Sequence, residues 1–490
     1  HFEFSGRLSK ITSDGFIERA TSDLKSYFFQ AAYQDENTLI KALVFGGHEI
    51  TYQSWFGVDA NTLATNRIYN PAGEIYDDNG NLEGHYDNQV DNYRQDHYQF
   101  HWNQKIDDYT SLSLGLNYTY GRGYYEEYKD LWFEQNVNFS SDNNFSYLGL
   151  QPVNIGGTSI DTTENIIQKW LDNDYYVATF SLNKQKGNTE WNLGLLYSSY
   201  VGDHFGELIF ANYASGVQPG HRFYENQGDK KEGNIYAKVN HRFNDRISGY
   251  LDFQYRSISY STNGNLKGPE PISIDENYGF FNPKAGLVYT YTPKNKFYLS
   301  FARAHREPSR ADFENGNPQP EELNDYELGW RYNTEKANLL VNFSFMDYTN
   351  QLALTGALDD VGTPIRENIG KSSRLGIEIE GTFSLANRWT WQPNLTLSRN
   401  RNHDFYFLRD GVLSDLGDTH LSFSPAMVAG NILVFQPSTQ WKMALLTKYV
   451  GEQYMGNIDA QASKLEAYTV SDLNVNYQIL PKSLFKEINI

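Results

Sequence analysis

The sequence predicts an all-β fold, a transmembrane antiparallel β-barrel whose strands run up and down in chain order. Three observations predict it. Apolar and polar residues alternate with period two along the chain. Short and long connections between these stretches alternate strictly. No apolar run approaches the ~18 residues of a helical span. Strands are then the one way for this chain to cross a bilayer, because hydrocarbon tolerates only helices and closed barrels.

The elements follow in order. His1 to Lys10 already alternates like a strand. Leu112, Leu114 and Leu116 share a face against Ser113, Gly115 and Asn117. Leu251, Phe253 and Tyr255 oppose Asp252, Gln254 and Arg256. Val341, Phe343 and Phe345 alternate with Asn342 and Ser344, and Leu375, Ile377 and Ile379 with Gly376, Glu378 and Glu380. Leu473, Val475 and Tyr477 alternate with Asn474 and Asn476. In a soluble sandwich the charged faces would meet bulk water; in a membrane barrel they would meet a wet interior. Alternation by itself leaves both open.

The connections separate the two. Short turns are expected at 34–38, 106–110, 185–189, 243–246, 292–296, 333–337, 384–388, 436–440 and 480–484. Every intervening connection is longer: about 15–23, 51–92, 121–174, 202–228, 261–278, 304–323, 350–373, 402–422 and 451–467. Tight turns on one rim and long loops on the other are the layout of an up-and-down membrane barrel. A propeller would show a blade repeat of roughly 40–50 residues, and the sequence shows none.

Counting gives about eighteen strands plus the start of another, an estimate consistent with barrel strand lengths. The first and last segments both run towards long loops, whereas closed bacterial barrels normally have even strand numbers. His1 follows no Met, and Phe485 to Ile490 stops within a strand-like run. Residues 1–490 are therefore expected to be one barrel domain cut from a longer protein.

Composition sets the bounds. At 490 residues the chain could hold several domains or one large barrel. Zero Cys removes disulfides, thiol metal sites and cysteine nucleophiles. A net charge of -19 argues against nucleic acid, which needs a basic footprint. The 37 Tyr, 30 Phe and 9 Trp suit interfacial girdles, and suit a soluble sugar-binding β protein equally. No convincing nucleophile elbow, zinc-binding His pair or phosphate-cradling glycine loop is present, so no enzyme and no cofactor are expected.

Several stretches, in order along the chain, carry a family resemblance. Gly6-Arg7-Leu8-Ser9 and Ser13-Asp14-Gly15-Phe16-Ile17 come first. Tyr69-Asn70-Pro71-Ala72-Gly73, Asp91-Asn92-Tyr93-Arg94-Gln95-Asp96-His97 and Gly121-Arg122-Gly123-Tyr124-Tyr125-Glu126 follow. Ser300-Phe301-Ala302-Arg303 leads to Arg306-Glu307-Pro308-Ser309, Asn317-Pro318, Pro320-Glu321 and Tyr326-Glu327-Leu328-Gly329. Asn368-Ile369-Gly370 and Arg374-Leu375-Gly376-Ile377-Glu378 close the set. Together they resemble the barrel of a TonB-dependent outer-membrane receptor of the Bacteroidetes type. The resemblance implies a 22-stranded barrel plugged by an N-terminal domain. About 18–19 of those strands fall here, and the plug, the TonB box and the terminal strands are expected to lie outside 1–490. It also implies a Gram-negative outer-membrane location and active uptake of a scarce nutrient. The implied partners are the TonB-ExbB-ExbD complex, acting through the missing N-terminal region, and outer-membrane lipid. A surface lipoprotein is a further partner that the resemblance admits.

The long loops are expected to bind the cargo. The candidate residues are Tyr69, His85, Tyr86, Tyr124, Tyr125, Arg303, His305, Arg306 and Arg310. Aromatic faces and Arg forks suit a planar or anionic ligand through stacking and bidentate bonds. Within the family that character points to a ferric siderophore or similar small metal chelate. Single tyrosines also serve as girdle residues, and Arg303 and Arg306 lie in a motif common to the family, so a structural role competes at each. Heme receptors of the family carry a His between the motifs at Pro308 and Asn317; here His305 stands just before instead. His85, His97, His101 and His204 are the other imidazoles considered for heme. Cobalamin is a second cargo alternative. Asp77-Asp78-Asn79-Gly80-Asn81 is similar to calcium-binding loops, although such runs are commonly turns, and no resident metal is assigned. From other classes, a passive porin would share the strand pattern without a plug, and a soluble glycan-binding protein would share the aromatics.

Overall fold

A computed structural model describes residues 1–138, 140–214, 216–314, 316–358, 364–409, 412–479 and 488–489. Eighteen long strands follow one another. They are β1 (Phe2–Ser13), β2 (Ser22–Gln34), β3 (Thr38–Tyr52), β4 (Val90–Lys105), β5 (Thr110–Lys129) and β6 (Asn165–Lys186). Next come β7 (Thr189–Ala211), β8 (His221–Arg242), β9 (Ile247–Asn265), β10 (Pro271–Thr292), β11 (Asn295–Arg306) and β12 (Glu321–Asn333). The last are β13 (Ala337–Thr349), β14 (Lys371–Ala386), β15 (Trp389–Arg409), β16 (Met427–Phe435), β17 (Trp441–Val450) and β18 (Tyr468–Ile479). Two short members, Val412–His420 and Ile488–Asn489, pair with β15 and β18.

The chain divides into two compact units. One holds residues 1–184, 192–236 and 255–279; the other holds 185–191, 237–254 and 280–490. In the first, β1 to β6 pair antiparallel in sequence order. Register places Val44, Tyr98, Tyr118 and Tyr176 in one row and Ala42, Phe100, Leu116 and Ala178 in the next. This face is open, with Tyr98, Leu116 and Tyr176 exposed. The opposite face is polar: Gln99 donates to Asn117 at 3.1 Å. In the second unit, the later part of β10 through β18 repeats the arrangement. Leu287, Leu299, Leu328, Phe343, Ile377, Leu397 and Met427 form one unbroken apolar row. Ser300, Glu327, Ser344, Gly376 and Ser398 form a polar row behind it. An apolar side turned outward and a polar side turned inward is the inverse of a soluble sheet and fits lipid as solvent.

The expected short turns fall where the alternation breaks, within about two residues in each case; the one expected at 480–484 lies outside the described residues. Four long connections are shorter than expected. Strand β5 runs on to Lys129 and β6 starts at Asn165; only 212–220 joins β7 to β8, and only 266–270 joins β9 to β10. The stretch 402–422 is largely the pairing of β15 with Val412–His420. These stretches mix apolar residues such as Ile167, Leu208 and Phe223 with charged and small polar ones, and their backbones still pair as strands.

Buried apolar side chains gather beneath loops rather than between sheets. Phe145, Leu148, Leu150, Ile167, Leu208 and Phe223 form one cluster in the first unit. Ala353, Ile369, Phe405 and Leu421 form another in the second.

Candidate ligand-binding loops

The loop after β3 is built around buried polar side chains. Asn70 accepts from the Ala72 amide and donates to the carbonyls of Glu18 and Gln53, so Asn70-Pro71-Ala72-Gly73 forms a fixed turn. Gly73 has φ +73°, and a Cβ there would meet the Tyr52 hydroxyl at 2.5 Å. Tyr52 in turn donates to the carbonyls of Ala72 and Tyr86. Buried Glu74 accepts from Tyr69 at 2.8 Å and Tyr76 at 2.7 Å. Burial, then the Glu74 carboxylate, raises both phenols, so they act as donors at neutral pH. His85 lies opposite Glu74 in the hairpin formed by Glu74–Tyr76 and Leu82–His85. Burial and the nearby Arg19 lower its pKa. Asp77 accepts from the amides of Asn79 and Asn81 and from the Asn81 side chain. Its carboxylate closes a turn whose Gly80 lies against Trp132. Among the described residues, no group of three or more His, Cys, Asp or Glu is placed to hold a metal ion.

This loop straddles the tip of β5. Tyr86 donates to Glu126 at 2.6 Å, and Gln168 donates to the same carboxylate at 2.6 Å. Those groups share the face of Tyr124, whose ring lies 4.6 Å from Trp170. On the other face Trp55 meets the Tyr125 ring edge-on at 5.8 Å, and the Lys169 ammonium lies 5.5 Å from the same ring. Tyr124 and Tyr125 therefore point to opposite sides. Register puts Tyr124 on the face of Leu116 and Tyr118, and Tyr125 on the polar face.

The 130–164 loop folds onto that polar face. Lys129 reaches Glu127 at 3.2 Å, Asp142 at 3.2 Å and Glu134 at 3.6 Å; Lys169 reaches Glu127 and Asp142, each at 3.6 Å. Burial alone would raise the Asp142 carboxyl, but Lys169 and Lys129 outweigh it and hold it far below the usual carboxylate range. Burial raises Glu134. Asn143 donates to the Lys129 and Thr163 carbonyls and ties the loop's two ends together.

In the second unit, β11 splits its candidates between faces. Arg303 and His305 follow Leu299 and Phe301 on the apolar side, while Arg306 follows Tyr298 and Ser300 on the polar side. Arg303 donates to Asn324 at 2.8 Å. His305 contacts Asn282 at 2.7 Å and Glu322 at 3.1 Å, and stacks on Phe280. Arg306 donates to Glu321 at 3.2 Å and to the Leu352 carbonyl at 2.9 Å, and the Leu352 amide donates back to Glu321. Arg310 pairs with Glu314 at 2.6 Å within the short helix Arg310–Glu314. Ser309 and buried Asp312 cap that helix, and Arg366 holds Asp312 with two donors at 3.1 and 3.2 Å.

Tyr69, His85, Tyr86 and Tyr125 thus gather around one loop, and Arg306 and Arg310 around another. Tyr124, Arg303 and His305 stand on the face that carries the apolar belt. Trp55, Lys169, Asp142 and Arg366 join these clusters without having been expected from the sequence. Only the fold brings Lys169 beside Asp142 or Arg366 beside Asp312; no local motif marks either pair.

Long antiparallel strands with an outward apolar side, joined alternately by short turns and longer connections, are the pattern of an outer-membrane β-barrel. The sequence from residue 32 to 489 matches the family described as TonB dependent receptor-like, beta-barrel, and the chain belongs to that family. Three solved structures share its fold. The ferric-catecholate import receptor Fiu from E. coli K12, in its closed form, is 14% identical over 98% of this chain and 71% of its own, with a TM-score of 0.65. The siderophore receptor PiuA from Acinetobacter baumannii is 12% identical over 97% and 71%, with a TM-score of 0.65. The unliganded ferric citrate transporter FecA is 12% identical over 98% and 66%, with a TM-score of 0.68. A comparison with curated proteins by sequence gives no match.

Proposed function

We propose that this chain is the barrel of a receptor that imports a small metal chelate, a ferric siderophore in the first instance, across the outer membrane. The observation that carries the proposal is the shared fold of Fiu, PiuA and FecA, whose names specify ferric-catecholate, siderophore and ferric citrate cargo. The loops add chemical support. Tyr125, Trp55 and Lys169 offer aromatic faces beside a cation, and Arg306 and Arg310 offer guanidinium forks. Nothing in this chemistry calls for a catalyst, and the reading includes no enzyme activity. Energy would come from TonB-ExbB-ExbD acting through a plug, and a surface lipoprotein could meet the long loops.

The test is growth of a strain lacking the full-length gene under iron limitation, supplied in turn with several ferric siderophores, heme and inorganic iron. A defect confined to one ferric siderophore is expected. Normal growth on every iron source would overturn the iron reading and leave cobalamin as the next cargo to supply.

A further inference from the structure

We propose that Arg399, Arg401 and Lys371 form a binding site for the phosphate groups of outer-leaflet lipid. On β15 the outward residues run Trp389, Trp391, Pro393, Leu395 and Leu397, starting beside the short turn after Ala386. That run of roughly nine residues matches the 9–11 of a membrane-crossing strand. Arg399 comes next on the same face, opposite exposed Leu375, and Arg401 follows it, opposite Ser373. Lys371 stands opposite His403 one step further.

An arginine facing lipid costs about 2–4 kcal/mol at mid-membrane and nearly nothing at the interface, so this row belongs at the interface on the long-loop side. Arg399 and Lys371 are exposed. Neither makes an ion pair or side-chain hydrogen bond among the described residues, and Arg401 has only the His420 imidazole at 3.0 Å. The neighbouring carboxylates are engaged elsewhere: Asp418 lies 3.3 Å from His403 and Asp459 lies 3.0 Å from His420. Asp347, opposite Ser373, forms no ion pair with any of the three. The first unit differs. Its outward row of Lys10, Lys25, His48, Arg94 and Arg122 is in register, but both lysines and both arginines have a carboxylate within ion-pair distance. Two guanidinium forks and an ammonium without an anion, at phosphate depth, fit a phosphorylated headgroup.

The test uses the full chain in detergent micelles and two probes, a bisphosphorylated glucosamine-based lipid and the same lipid without phosphate. Native mass spectrometry reads bound lipid. The phosphorylated probe is expected to bind at least tenfold more tightly, about 1.4 kcal/mol. The Arg399→Gln/Arg401→Gln/Lys371→Gln variant is expected to lose that preference. Should the triple variant fail the heat-modified mobility test for a folded barrel, Arg399→Gln alone is expected to weaken the preference severalfold. Equal binding of the two probes, a preference unchanged in the folded variants, or full displacement by millimolar inorganic phosphate would overturn the proposal.

Discussion

Tyr298 lies flat across Gly329. The two residues face each other on β11 and β12, and a Cβ built on Gly329 would collide with the tyrosine ring. The hydroxyl continues past the glycine to Asn342 on the next strand, at 2.9 Å. The glycine of Tyr326-Glu327-Leu328-Gly329 is thus set by close approach, its missing side chain being the space the ring occupies. Gly329→Val is expected to displace the ring and lower barrel stability by about 1–3 kcal/mol. Urea unfolding in detergent, followed by gel mobility, would show it; an unchanged midpoint would mean the ring moves without loss.

The opposite facing of Tyr124 and Tyr125 separates two roles. Tyr125→Ala removes the ring against Trp55 and Lys169 on the polar face, and cargo uptake is expected to fall about tenfold, as for loss of an aromatic contact worth ~1 kcal/mol or more. Tyr124→Ala should leave uptake nearly unchanged. Radiolabelled iron-chelate transport, normalised to surface receptor, distinguishes them, and the reverse order would remove the facing argument.

Asp142 predicts an acid limit for the 130–164 loop. Its folded carboxyl titrates below the unfolded value of about 4. Its stabilisation is therefore present above about pH 4 and lost as pH falls through the lower folded value. Glu134 has the opposite sign: its raised carboxyl opposes folding at neutral pH, and that cost fades on acidification. Hydrogen exchange of this loop is expected to stay slow down to about pH 4 and to accelerate below it. Asp142→Asn should accelerate exchange already at pH 7, by about 1–3 kcal/mol of local opening.

Arg366 fixes the helix that follows β11. Arg366→Gln is expected to leave buried Asp312 with Ser309 as its remaining side-chain partner among the described residues and to destabilise the 309–314 turn by about 1–3 kcal/mol. Limited proteolysis of intact cells should cut there faster, whereas Arg303→Gln, on the apolar side of β11, should not change the cleavage rate.

The sequence by itself determined the strand order, the class of fold and the sidedness of the connections. Period-two alternation is local, and so are turn signals such as Asn333 to Ala337; both survive without knowledge of the partner strand. The motif Tyr69-Asn70-Pro71-Ala72-Gly73 was visible in the sequence as a resemblance alone, because its turn is fixed by bonds from Asn70 to the distant Glu18 and Gln53 carbonyls as well as to the Ala72 amide. Only the tertiary structure decided which candidates lie together. Arg303 and Arg306 are close neighbours in sequence, yet the pleat sends them to opposite faces. Lys129 and Lys169 belong to different strands, and they converge on Asp142 because register and loop packing carry them there. Burial then makes those long-range charges count, because electrostatic attraction grows where water is excluded.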